Sequence, residues 1–123
     1  MIGYVTLGTN DFPRAAKFYD TLLAELGAKR VMEFGPTFVV WGKGMDQPML
    51  CVTKPHDGKP ATVGNGVMVA LRAKNLDEIK KLHAKALSLG ATDEGAPGPR
   101  GEGFSGGYFR DLDGNKLNFF CMG

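Results

Sequence analysis

The chain repeats itself, and that repetition constrains its fold more than any other feature. Residues 4 to 28, YVTLGTNDFPRAAKFYDTLLAELGA, recur in pattern at residues 68 to 91, MVALRAKNLDEIKKLHAKALSLGA. At one fixed offset Val5/Val69, Leu7/Leu71, Phe12/Leu76, Lys17/Lys81, Phe18/Leu82 and Leu23/Leu87 match, and after a single-residue slip Leu26-Gly27-Ala28 falls on Leu89-Gly90-Ala91. Each copy reads as a strand entering an amphipathic helix that stops at Gly. A chain of 123 residues is one domain's worth and too short for two independently stable halves, so each copy has to lean on the other.

In the first copy Asp11 offers an N-cap, Pro13 suits the first helical turn, and Ala15, Phe18, Leu22 and Leu26 make an apolar face that Gly27 ends. RVMEF, TFVVWG and PMLCVTK then read as three strands, completing a βαβββ module over residues 1–53. Residues 54–65, KPHDGKPATVGN, read as a linker. The second module, 66–123, opens with GVMVALRA; Asn75 caps a helix with Glu78 placed close to a capping box, and Leu76, Ile79, Leu82, Ala86 and Leu89 form its buried stripe. A weak strand is expected near residues 91 to 95. From Gly95 to Gly107 six Gly and two Pro look too dense for regular structure, so this segment is either a mobile lid whose Phe104 covers a ligand or a long connector. The ending GYFRDLDGNKLNFFC reads as two strands joined at Asp113-Gly114-Asn115. The fold class is therefore α+β, built from two βαβββ modules.

Composition narrows the function classes. A net charge of +2 from 15 basic and 13 acidic residues, with the lysines scattered, gives no footprint for nucleic acid. The opening MIGYVTLGTN shows no basic leader, apolar core or cleavage site, and no apolar run is long enough to span a membrane, which makes the cytoplasm the expected location. Cys51 and Cys121 sit singly in apolar strand-like runs and read as buried reduced thiols, while His56 and His83 read as surface histidines. No Ser-His-Asp set, phosphate loop or dinucleotide fingerprint is present; GEGFSGG lacks the flanking strand and helix.

Strand parity assigns faces. Val5 and Leu7, Val69 and Leu71, and Leu117, Phe119 and Cys121 are expected to pack on helices, leaving Tyr4, Thr6, Met68, Ala70, Arg72, Asn118 and Phe120 on the other side. That side mixes aromatic, thioether, amide and cationic groups, which suits a ligand cleft.

In this order and spacing, the strand followed by NDFPRAAKFYDTLL, its second-module equivalent after Gly66, and the closing FRDLDGNKLNFF resemble the vicinal oxygen chelate superfamily. That group contains glyoxalase I, extradiol dioxygenases, and fosfomycin and bleomycin resistance proteins. The resemblance covers Tyr4 to Cys121 and implies that the two modules form a half-open, curved sheet barrel around a cleft, commonly in a homodimer. Family enzymes hold a divalent metal through His, Gln or Glu on the first and last strands of each module. Carried over, these positions fall on Tyr4, Met68 and Asn118, with the fourth on Met49, Cys51 or Thr53. None of the three assigned residues is a usual ligand for a hard or borderline cation, so the expectation is no metal and no cofactor.

The expected function is binding of a small organic molecule in an aromatic and Met-lined cleft formed by Tyr4, Trp41, Met68, Phe104, Tyr108, Arg110, Asn118 and Phe120. Arg110 either receives an anionic group or pairs structurally with Asp111 or Asp113. The alternative is a glyoxalase-type lyase, isomerase or dioxygenase with displaced ligands or metal-free acid–base chemistry by Tyr4, Glu102 and Arg110. Expected partners are the small ligand and a second copy of the chain, with neither nucleic acid nor membrane.

Overall fold

The structure, a computed structural model, describes residues 1–123 and divides into two compact units, Met1–Val63 and Gly64–Gly123. The first unit holds β1 (Tyr4–Gly8), α1 (Phe12–Ala24), β2 (Lys29–Glu33), β3 (Phe38–Gly42) and β4 (Met49–Thr53). The second holds β5 (Val69–Arg72), α2 (Leu76–Ser88), β6 (Thr92–Gly101), β7 (Phe104–Arg110) and β8 (Lys116–Met122). Their sheets run β1-β4-β3-β2 and β5-β8-β7-β6. In each, the first strand lies parallel to the last and the remaining neighbours are antiparallel. The same βαβββ topology thus occurs twice, as the internal repeat predicts.

Both helices begin at the expected caps, and the expected glycines follow shortly after the helices end at Ala24 and Ser88. The Asp11 carboxylate accepts the Arg14 amide at 3.3 Å, and the Asn75 side chain accepts the Glu78 amide at 2.9 Å. Glu78 reaches back to the Lys74 amide at 3.0 Å, so the reciprocal bond forms one residue before the cap. Gly27 and Gly90 take φ values of +79° and +106°, which lets the Ala28 and Ala91 amides fold back to carbonyls in the last helical turn.

In the first unit α1 buries Phe12, Ala15, Ala16, Phe18, Tyr19, Leu22 and Leu23. Register aligns Leu7 with Val52, Val52 with Val39, and Leu50 with Trp41, so these residues share the face under α1. Trp41 is fully buried there: its indole N–H donates to Asp20 on α1 at 2.8 Å and its ring lies 5.7 Å from that of Tyr19. The expectation that Trp41 lines a cleft is therefore overturned. Met49, Cys51 and Thr53 all lie on the opposite face, beside Tyr4, Thr6 and Gly8 respectively, which settles the register of this strand. Val40, Met49 and Cys51 form an apolar cluster with Val31, Met32 and Phe38 on that side.

Asp20 also accepts two hydrogen bonds from Arg30, each at 2.8 Å. The Arg30 guanidinium holds the Asp20 carboxyl below the usual carboxylate range. A depressed folded-state pKa contributes stability above the unfolded value of ~3.9, and that contribution disappears as pH falls through the folded value. Thermal midpoints measured between pH ~6 and ~2 should therefore drop less steeply for Asp20→Asn than for the native chain, from a lower starting midpoint.

Two expectations for the second unit fail. The stretch from Gly95 to Gly107 is neither lid nor connector: β6 runs ten residues and pairs with β7, with register shifts between Asp93 and Gly95, Gly95 and Gly98, and Pro99 and Gly101. These bulges absorb the glycines, and Pro97 and Pro99 are tolerated because β6 is the sheet's edge. His83, expected at the surface, is buried; its Nε2 lies 3.1 Å from Asp93 Oδ1 and 3.0 Å from the Tyr108 carbonyl. It is one turn from Ile79 and Ala86 and belongs to the buried stripe. A Cβ on Gly107 would stand 3.2 Å from Ile79 Cγ2 and 3.3 Å from His83 Cδ2, so this glycine lets α2 lie close against β7. The closing turn forms as expected, with Asp111 Oδ1 accepting the Asp113 and Asn115 amides at 2.9 Å each.

Candidate functional site

Because α2 packs on the side of Gly107, Phe109, Leu117 and Phe119, the alternate residues of β5, β7 and β8 face away from α2. Phe104, Gly106, Tyr108, Asn118, Phe120, Arg72 and Lys116 share this side. The Phe104 and Phe120 rings stack at 5.8 Å and 10°, and the Arg72 guanidinium lies 4.9 Å from the Phe120 centroid. Tyr108 is flanked by two cations, Arg100 at 5.4 Å and Lys116 at 5.7 Å from its ring.

Gly106 separates Phe104 from Tyr108 along β7. A Cβ there would meet Tyr108 Cε1 at 3.3 Å, and Phe104 Cε1 and the Tyr108 hydroxyl at 3.4 Å each, so the two rings close over the glycine and any side chain here would push them apart. Its backbone does not need glycine, since its φ is not positive; the requirement is space.

Asn118 lies between Ala70 and Tyr108 in the strand ladder. It is completely buried, and neither its amide nitrogen nor its amide oxygen has a hydrogen-bond partner. Leaving such a group unpaired costs about 1–3 kcal/mol. Buried polar groups in native proteins are nearly always satisfied, and an orphan is commonly a place where water or a ligand belongs.

The predicted site residues thus separate. Phe104, Tyr108, Asn118 and Phe120 come together on one face. Arg110 has their parity but donates to Glu94 at 2.8 Å and to the Gly114 carbonyl at 3.0 Å; its structural partner is Glu94, not Asp111 or Asp113. Met68 precedes β5 and is 41% exposed. In the first unit Tyr4 is exposed on the face away from α1, and Trp41 lies beneath the helix. Sequence reasoning missed Lys116 and Gly106, although each stands two residues before a chosen site residue and period-two alternation would have found them. Arg100 had no such signal, because three register shifts scramble the parity of β6.

The residues do not fit a divalent metal at the family's positions. Register places Met49 beside Tyr4, and Ala70 beside Asn118, so the donors are a phenol, a thioether and an amide without carboxylate or imidazole. No group of three or more His, Cys, Asp or Glu residues is gathered so as to hold an ion. Cys51 and Cys121 are free and buried, and burial pushes the Cys51 thiol up, which opposes a nucleophilic role.

The glyoxalase/bleomycin resistance protein/dioxygenase superfamily model matches residues 1–119. A glyoxalase/bleomycin resistance protein from Albidiferax ferrireducens T118 is 31% identical, with 98% of this chain and 97% of that chain covered and a TM-score of 0.88. A hypothetical protein from S. aureus is 24% identical over 98% of this chain and 92% of that chain, with a TM-score of 0.75. A lactoylglutathione lyase from Agrobacterium tumefaciens, 19% identical over 98% of this chain and 92% of that chain, shares the fold at a TM-score of 0.69. None of the curated proteins matches. With its βαβββ repeat, its family match over nearly the whole length and its structural likeness, the chain belongs to the glyoxalase/bleomycin resistance protein/dioxygenase superfamily.

Proposed function

We propose that this chain is a small-molecule-binding member of the superfamily, and that an organic ligand with aromatic or apolar surface lies on the face of the second unit turned away from α2. Phe104, Tyr108 and Phe120 supply contact area, and Met68 extends the site at the start of β5. The observation that carries this reading is the buried, unpartnered amide of Asn118 among those rings. A ligand offering one donor and one acceptor would satisfy both of its atoms.

The alternative, metal-free acid–base catalysis by Tyr4, Glu102 and Arg110, has less behind it. Arg110 is committed to Glu94 and Gly114, and Glu102 lies exposed beyond the end of β6. A homodimer in the cytoplasm is part of the same proposal. Exposed Ile2, Tyr4, Phe34 and Met45 in the first unit, and Val67 and Met122 in the second, are apolar surface that a second copy would cover.

Native mass spectrometry tests both parts together. The expected result is a species of twice the 13.2 kDa chain mass, a fraction of it carrying a small organic adduct that organic extraction releases. Gly106→Leu, which displaces the Phe104 and Tyr108 rings and covers the face, should give the same assembly without the adduct. A native chain that never carries an adduct, and whose midpoint no aromatic compound raises, would sink the binding reading. A clean monomer would sink the dimer.

A further inference from the structure

The charge on the same face is unbalanced. Arg72, Arg100 and Lys116 stand over aromatic rings, and none of the ion pairs in the unit involves them. The carboxylates of the sheet are committed elsewhere: Asp93 to His83, Glu94 to Arg110, and Asp111 to the amides of its own turn. Glu102 is exposed between β6 and β7. Two cations at one tyrosine ring repel each other, and an anion placed among them relieves that repulsion.

Arg100 is also held in place. Its Nη1 donates to the Gly98 carbonyl at 3.1 Å and the Pro99 carbonyl at 3.3 Å, and its Nη2 donates to the Ala96 carbonyl. These partners are neutral carbonyls, so none of them offsets the guanidinium's charge. Glycines clear room for it: a Cβ on Gly95 would stand 3.4 Å from Nη2 and 3.2 Å from Tyr108 Cδ1, and one on Gly98 would stand 3.4 Å from Nη1. A cation held in place in this way loses little entropy when it binds an anion.

We propose that this face selects an aromatic organic anion, its ring laid against Phe104 and Tyr108 and its carboxylate received by Arg100 and Lys116, with a further polar group such as a ring hydroxyl left to meet the Asn118 amide. Arg72, on the far side of Phe120, adds to the same field. The proposal rests on the binding reading above and gives it a ligand class.

The test is titration calorimetry on the full chain with three probes of one shape: naphthoate, naphthalenemethanol and naphthylmethylammonium. Naphthoate should bind about tenfold more tightly than the alcohol, the ammonium more weakly than either, and added salt should weaken only naphthoate. Arg100→Gln with Lys116→Gln should remove the preference for naphthoate over the alcohol, while Gly106→Leu should abolish binding of both. Lys116→Gln alone, which removes no hydrogen bond, serves if the double variant does not fold, and should weaken naphthoate severalfold. Equal affinity for all three probes, unaffected by the glutamines, would overturn the anion inference and leave the binding reading standing. No probe binding at all, or binding indifferent to Gly106→Leu, would overturn both.

Discussion

Trp41→Ala is expected to destabilise the first unit by about 3–5 kcal/mol, read as a lower urea midpoint at unchanged slope. The indole is fully buried between β3 and α1, against Tyr19. Its removal leaves a cavity, deprives Asp20 of one donor, and takes away the surface on which the Arg30 guanidinium rests at 5.9 Å. Trp41→Phe separates the contributions: it keeps most of the packing and loses the hydrogen bond, so about 1–2 kcal/mol should be lost. A midpoint for Trp41→Ala within ~0.5 kcal/mol of native would mean that the indole is not core after all.

The second large effect has the opposite sign. Asn118→Leu should raise stability by about 1–2 kcal/mol, because an apolar side chain of similar volume replaces an amide that is buried without partners. The same substitution should abolish ligand binding. A chain that gains stability on losing a residue holds that residue for another reason, and a site that is satisfied only when occupied is such a reason. If Asn118→Leu is less stable than native in the absence of ligand, the amide is satisfied in the free protein and the site loses its central group.

The repeat and the face of each strand were legible because they depend on short-range periodicity, which the apolar residues carry plainly. Asn118 and Phe120 were placed opposite Leu117 and Phe119 by alternation alone, and the structure has them there. Phe104 lies on the site face as a strand residue and not as the tip of a lid. Nothing local in the sequence tells which side of β3 faces α1, and so where Trp41 points; that depends on the Trp41–Leu50 register, a long-range fact. The glycines of β6 and β7 misled because density alone reads as disorder. Gly106 and Gly107 are single-position answers to crowding, one beside the aromatic rings and one beside α2, and that crowding exists only after folding.

The prolines of β6 carry a consequence for solubility. A rim strand normally offers a row of amides and carbonyls on which a further chain can nucleate, and Pro97 and Pro99 have no amide to offer. Bulges further spoil the straight, flat edge that templated growth needs. The other rim, β5, spans only four residues. Growth of this sheet into stacked, fibril-like assemblies is thereby discouraged at both ends, and the glycine- and proline-rich stretch acts as a guard against aggregation.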